Sequence, residues 1–535
     1  MMRCFSRKLL LSVGLAAGMF CGMNEAPACT NILVGRGASQ DGSIFVSYSI
    51  DGPGTGTLSF SLGRPKGDPK AADPVEAEWT GPTYNVVGYM NEHQLAIGET
   101  TTDGRKELRN HKVGLHYFRL MTLALARCKT AREAIAEIAR LMDKFGYSSE
   151  GETLSIGDKN EVWMMEIIGK GPDRKGAVWV AARVPDDCLT VHANMSRITT
   201  FPLDDPKNWL YSPDVIDFAI EKGFFDPKGG KPFSFRDVYH PQINQFIRKV
   251  CAGRVWSAYR RSAPSQNFSD AYFRSTPGAE DYPLFIKPDK KVSVHDVMQL
   301  FRDHFEGTPY DMTKGIDAGP FGSPYRWRGL TFKVGSKDYS WERPLSTQQA
   351  ACVWVSQSRN WLPDPVGGVF WFSSDDSYTS CFTPFYCGVT RVPESYQNAR
   401  LEQFSWDKAW WIFNLVSNLT YSRYSRILPE VQTVQRDHEA KFLKMQPIIE
   451  ETAVKLAAAD EKLMRDYLTN YSNSTADGLL REWQQLASGI IAKHNDGYVF
   501  TSGKGPEGVG YPEEWLKRVI QERPKPYEID APPEH

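Results

Sequence analysis

Cys29 follows Ala26-Pro27-Ala28, a small-x-small tripeptide of the kind at which signal peptides are cut. Cleavage there makes Cys29 an amino-terminal residue, with a thiol and a free α-amine on the same carbon. Such an amine has a pKa of about 7.7–8.0. At neutral pH a useful fraction is an unprotonated base, able to take the thiol proton directly or through one water. Nucleophile and base then reside in one residue, and no histidine is required. Two other readings of the segment stay open. Signal peptidase leaves many residue types at a new terminus, and a cysteine there arises by chance. Alternatively Cys29 carries a lipid, although Ala26 stands where a lipobox prefers Leu.

A thiol attacking an amide also needs an oriented amine, donors for the developing oxyanion and a hold on the substrate. Asp51 lies 22 residues beyond Cys29, just after a β-branched run. A hairpin returning it toward the thiol would let its carboxylate bind and orient the α-ammonium. The competing reading is a turn residue in Asp51-Gly52-Pro53-Gly54. Asn194 ends the run LTVHAN, and its amide is a suitable oxyanion donor. The competing reading there is a turn at a strand end. Asp375-Asp376 lacks a third metal ligand and reads as a loop cap. No CxxC or HExxH pattern occurs, and the ten His residues show no ligand spacing. No metal and no cofactor is expected. Seven cysteines follow residue 28, an odd number that leaves Cys29 as the natural unpaired thiol; pairing of Cys381 with Cys387 is undecided by spacing.

The elements that would position these groups read as alternating strands and helices. Residues 31–35 and 43–49 are apolar runs joined through Gln40-Asp41-Gly42, a hairpin signal. Residues 84–89 and 95–100 repeat the pattern around Asn91-Glu92-His93. Helices are expected over 116–128 and, after the capping box Thr130-Ala131-Arg132-Glu133, over 130–145. Four further strands are expected at 154–157, 162–168, 178–184 and 189–193. This order suits an α+β fold of two sheets packed face to face with helices outside. Residues 201–300 show little periodicity and read as surface elaboration and loops, whereas 345–395 is strand-like and rejoins the core. Residues 432–468 read as a long amphipathic helix kinked at Pro447, and 476–493 as another.

Residues 1–28 combine basic Arg3, Arg7 and Lys8 with an apolar stretch from Leu9 to Met23, the layout of a secretory signal peptide. The expected organisation is a leader over 1–28, a sandwich with insertions over 29–430 and a helical region over 431–535 packed on it. The chain has 535 residues, 63 Lys+Arg against 64 Asp+Glu, and 41% hydrophobic residues. This composition is globular and excludes disordered, collagen-like and coiled-coil classes. A net charge of -1 without a basic run gives no footprint for nucleic acid. The leader's apolar stretch is the one transmembrane candidate. An exported protein, periplasmic or extracellular in a bacterium, without stable membrane association is therefore expected; self-association into a homo-oligomer is left open.

The run CTNILVGRGASQDGSIFVSYSIDG from Cys29 resembles the start of the cysteine dipeptidases, dipeptidase A type with secernins as relatives, of the N-terminal-nucleophile hydrolase superfamily. MNEHQLAIGETTT (90–102), EVWMMEIIGKG (161–171), VHANMSRI (191–198), EGTPYDMTKGIDAGPFG (306–322) and the segment 346–376 continue the resemblance. It implies a four-layer αββα sandwich and hydrolysis of small peptides through Cys29, with Asp51 orienting the amine and Asn194 holding the oxyanion. It also places the strand of Thr100 and Thr101 beside the substrate. Many superfamily members carry an Arg shortly before the Asp. Tyr48 stands near that position here, which leaves open what guanidinium, if any, accompanies the thiol; Tyr48 is then a hydrogen-bond donor to substrate or a packed strand residue. An N-acyl amide hydrolase of the bile-salt or penicillin acylase type and a non-catalytic peptide-binding lipoprotein remain alternatives.

Overall fold

The computed structural model describes residues 29–66 and 73–529. The leader expected over 1–28 lies outside them. Two antiparallel sheets form the core. The first contains β1 (Asn31–Val34) and β2 (Ile44–Asp51). The second begins with β3 (Phe60–Ser61), β4 (Val86–Val87), β5 (Met90–Asn91) and β6 (Ala96–Thr101). It continues through β7 (Gly151–Gly157), β8 (Val162–Gly169) and β9 (Ala177–Arg183). Next come β10 (Leu189–His192) of the first sheet and β11 (Trp209–Tyr211) of the second. A small hairpin, β12 (Thr331–Val334) with β13 (Lys337–Ser340), precedes β14 (Ala350–Ser358), β15 (Val369–Ser374) and β16 (Thr383–Tyr386). Strand order is β10-β1-β2-β14-β15-β16 in one sheet and β11-β9-β8-β7-β6-β5-β4-β3 in the other.

The period-two alternation of a strand decides which side each residue serves. Leu95 just before β6, Ile97 of β6, and Leu154 and Ile156 of β7 join an apolar cluster with Leu120, Ile135, Ile138 and Leu141 of helices Tyr117–Arg127 and Ala131–Phe145. Gly98, Thr100 and Ser155 face the other sheet. A Cβ at Gly98 would collide with the Asn31 side chain and crowd Tyr48, so glycine there permits the close approach of the sheets. His192 of β10 then ties the layers. Its Nδ1 is 2.7 Å from Thr100 Oγ1 and its Nε2 is 2.7 Å from Ser155 Oγ. On the far side of the first sheet, helices Ala409–Ser422, Tyr424–Ala459 and Glu461–Lys493 supply the fourth layer.

Three expectations need correction. Residues 201–300 are not loops on the surface. They contain helix Gly253–Ser262 and a buried group including Val255, Ala258 and Tyr259, because their aromatic residues pack on the first sheet's end. The long C-terminal helix does not end near 468. It runs through Pro429 and Pro447 to Ala459, the backbone turns extended at Asp460, and a second helix starts immediately at Glu461. Asp460 caps that second helix through Lys462 N–H at 2.8 Å, which is what a short polar side chain does best at a helix start. The segment 84–89 pairs only at Val86–Val87. The hairpin at 40–42, the capping box at Thr130 and the return of 350–386 to the core are as the sequence leads one to expect.

Candidate active site

Cys29 sits at the entrance to β1, where Thr30 bridges Ser49, and it is 1% exposed. Asp51 at the end of β2 is thereby brought beside it, as the hairpin argument requires. Its carboxylate accepts hydrogen bonds from Ser49 Oγ and from Arg343, with which it forms a fully buried ion pair. Burial raises the Asp51 carboxyl above its usual range, and Arg343 and Ser49 hold that rise back.

Tyr48 points its hydroxyl at the thiol, 3.5 Å from Cys29 Sγ, and donates to Glu99 Oε1. Edge contacts with Tyr89 and Trp354 at 5.9 and 6.0 Å hold the ring. Glu99 Oε1 is 3.8 Å from Sγ. Behind Glu99 lies Glu152, and the two carboxyls adjoin. The β6–β7 register explains the meeting: Thr101 opposes Glu152 and Glu99 opposes Leu154, so the two acids are diagonal neighbours on one face.

Asn194 adopts a left-handed backbone, φ 55°, just beyond β10. Its Nδ2 donates to the Thr101 carbonyl at 2.8 Å, and its Oδ1 accepts from Arg254 Nη2 at 3.1 Å. Arg254 also donates through Nη1 to the Cys29 carbonyl at 2.6 Å and to Thr30 Oγ1 at 2.9 Å. A guanidinium does therefore stand beside the Cys29 thiol. It comes from helix Gly253–Ser262, not from the Tyr48 position. Burial and the neighbouring Arg343 lower the Arg254 pKa to about 10, which leaves it charged at neutral pH. Thr100 uses its hydroxyl on His192 and Thr101 uses its carbonyl on Asn194. Asp376 accepts from Ser346 Oγ at 2.8 Å and from the Tyr378 amide at 3.1 Å, as a loop cap does.

The environment keeps the Cys29 thiol protonated. Its pKa is driven well up by burial and then by the charges of Glu99 and Asp51, against which Tyr48 and the Asp51 amide pull only in part. A thiol in such a setting needs a base at the moment of attack. Arg254, Arg343, Glu99 and Glu152 are site residues that the sequence reading above does not name. A Glu inside AIGETT and another inside GETLSIG are charges in otherwise buried strands, and that was a readable signal. Arg254 in RKVCAGRVWSAYRRS has several basic neighbours, and no spacing marks it out. All seven described cysteines are free, Cys381 and Cys387 included. Among the described residues no group of three or more His, Cys, Asp or Glu is arranged to hold a metal, and no helix is long and apolar enough to cross a membrane.

Residues 65–437 match peptidase family C69, and the chain belongs to that family. The match includes Glu99, Glu152, Asn194, Arg254 and Arg343; Cys29, Tyr48 and Asp51 precede it. Dipeptidase A of Lactobacillus helveticus is 24% identical over 86% of this chain and 96% of its own length. A probable dipeptidase of Latilactobacillus sakei is 26% identical over 75% and 82%, and probable dipeptidase B of Lactococcus lactis subsp. lactis (strain IL1403) is 26% identical over 87% and 95%.

Proposed function

We propose that this peptidase is an exported cysteine dipeptidase whose nucleophile is Cys29, released as an amino terminus by cleavage after Ala28. The observation that carries the reading is the assembly at the mouth of β1 of a buried thiol, two guanidinium groups and an amide, in a chain whose relatives bear dipeptidase names. The free α-amine of Cys29 takes the thiol proton, which the buried setting otherwise retains. Sulfur attacks the scissile carbonyl. Asn194 donates to the oxyanion, with Arg254 fixing both its amide oxygen and the Cys29 carbonyl. The α-ammonium then protonates the leaving amine, and a thioester remains. Water activated by the same amine releases the acid and restores the thiol. Asp51, anchored by Arg343, positions the amine. Secretion to the periplasm or beyond follows from the leader-like residues 1–28.

The test is Cys29→Ala in the exported protein, assayed on unblocked dipeptides. Hydrolysis is expected to vanish while the circular dichroism and thermal unfolding stay those of the wild type, and Cys29→Ser is expected to lose most activity. Intact mass is expected to give a chain that starts at unmodified Cys29. Turnover by Cys29→Ala, or a lipid on Cys29, would overturn the mechanism.

A further inference from the structure

The residues placed in the mechanism leave one part of the site without a task. Glu99 and Glu152 are 3% and 0% exposed, and among the described residues no Lys or Arg forms an ion pair with either. Glu99 Oε2 and Glu152 Oε2 have no hydrogen-bond donor among the described residues. The other groups on the pair are neutral: Tyr48, the thiol and the Thr101 hydroxyl on Glu99, and Ser149 Oγ on Glu152 at 3.0 Å. The Tyr147 hydroxyl, 1% exposed, lies by Ser149 and Glu152 without meeting hydrogen-bond geometry with either. Two adjoining buried carboxyls favour sharing one proton, which leaves the pair a single negative charge. That charge touches the Cys29 thiol and has no Lys or Arg counter-ion among the described residues.

We propose that the Glu99–Glu152 pair receives the protonated α-amine of the substrate and so restricts the Cys29 thiol to peptides with a free amino terminus. The covalent geometry of a dipeptide supports the placement. Its ammonium nitrogen is about 2.5 Å from the scissile carbonyl carbon, being two bonds away. A thiol poised to attack is about 3–3.5 Å from that carbon, and an ammonium–carboxylate hydrogen bond spans about 2.8 Å. A carboxylate oxygen 3.8 Å from Sγ therefore lies within reach of the ammonium of a peptide whose carbonyl is poised on the sulfur. One positive charge meets one negative charge. An N-acylated amine brings no charge, and its carbonyl oxygen would face acceptor atoms. Tyr48 orients Glu99 toward this position from the first sheet, and Ser149 does so for Glu152.

The assignment rests on the dipeptidase reading of Cys29, and a binding measurement separates the two. Calorimetry with the Cys29→Ala protein is expected to show binding of unblocked dialanine and at least about 100-fold weaker binding of N-acetyl-dialanine. Adding Glu99→Gln and Glu152→Gln together, which removes the pair's one negative charge, or Glu99→Met with Glu152→Gln if that protein does not fold, is expected to erase that preference. In the active protein the double Gln variant should lose about 100-fold in kcat/KM on dialanine, chiefly through KM, and far less on the N-acetylated peptide. Equal binding of the two peptides by Cys29→Ala overturns the receptor assignment, even in an active dipeptidase. A Gln variant that loses both substrates equally also overturns it. Selective binding without Cys29-dependent turnover upholds the receptor and overturns the hydrolase mechanism instead.

Discussion

Two buried carboxyl groups flank the Cys29 thiol on different terms. Asp51 at the end of β2 has a guanidinium, Arg343, and a hydroxyl, Ser49, both directed at its oxygens. Glu99 on β6 has a tyrosine hydroxyl, a thiol and a second carboxyl. The first is complete as it stands: charge is balanced inside the protein, and the group can act as a fixed anchor. The second carries charge that no Lys or Arg among the described residues balances. A buried ionised group without a partner is costly, so one retained beside the Cys29 thiol calls for a use, and the proposed ammonium receptor supplies it.

The largest effect that tests this contrast is on the Asp51 side. Arg343→Met strips the cation from a fully buried carboxylate and is expected to cost about 3–5 kcal/mol of folding stability, read from urea denaturation. Adding Asp51→Asn should restore a good part of it, since the uncompensated charge is then gone too. A loss below about 1 kcal/mol would mean that the anchor is not an ion pair in any useful sense.

How much of this was legible in the residues depends on the range of the contact. The hairpin that returns Asp51 to Cys29 is local, and Asp-Gly between two β-branched runs announces it. The capping box at Thr130 is equally local. Arg254 and Arg343 reach the site from 225 and 292 residues away in sequence, as partners of Cys29 and Asp51. No period or spacing encodes such a meeting, and the weak periodicity of 201–300 concealed a helix that is buried on nearly all sides. Tyr48 near the usual Arg position left the presence of a guanidinium open; the fold supplies one from a different element. Glu99 and Glu152 were visible as charges within buried strands, but their diagonal contact is a matter of strand register, which residues 102–150 between them do not specify.

His192 gives the next effect, smaller and dependent on pH. It bridges Thr100 and Ser155 inside the sandwich, and burial lowers its pKa to about 3. Its folded pKa is below the unfolded value of about 6.5, so the folded state favours the neutral ring. That contribution is fully present above pH 6.5 and is lost as pH falls toward 3. At pH 5 the loss is about 2 kcal/mol from this residue alone, at 1.36 kcal/mol per unit. His192→Gln should be less stable at neutral pH yet show a flatter stability profile between pH 6.5 and 4. An unchanged acid slope would show that the ring titrates freely.

The smallest effect has the opposite sign in pH and sharpens the contrast most. Glu152 is raised by burial first and by Glu99 next, with Glu150 adding to the rise and Ser149 opposing it; Glu99 is raised chiefly by burial. For a carboxyl whose folded pKa exceeds its unfolded value of about 4.3, folding favours the protonated form. Stability from the pair is therefore present below about pH 4.3 and is lost as pH rises through the folded pKa values. Glu152→Gln removes one titrating group and the repulsion with Glu99. The variant is expected to gain on the order of 1 kcal/mol over the wild type at pH 8 and nothing at pH 4. Asp51→Asn instead leaves the Arg343 guanidinium as a buried cation without its carboxylate and should destabilise the protein at both pH values. If Glu152→Gln instead destabilises the protein at every pH, the carboxyl pair is a structural hydrogen bond like any other, and the two sides of the thiol do not differ in kind.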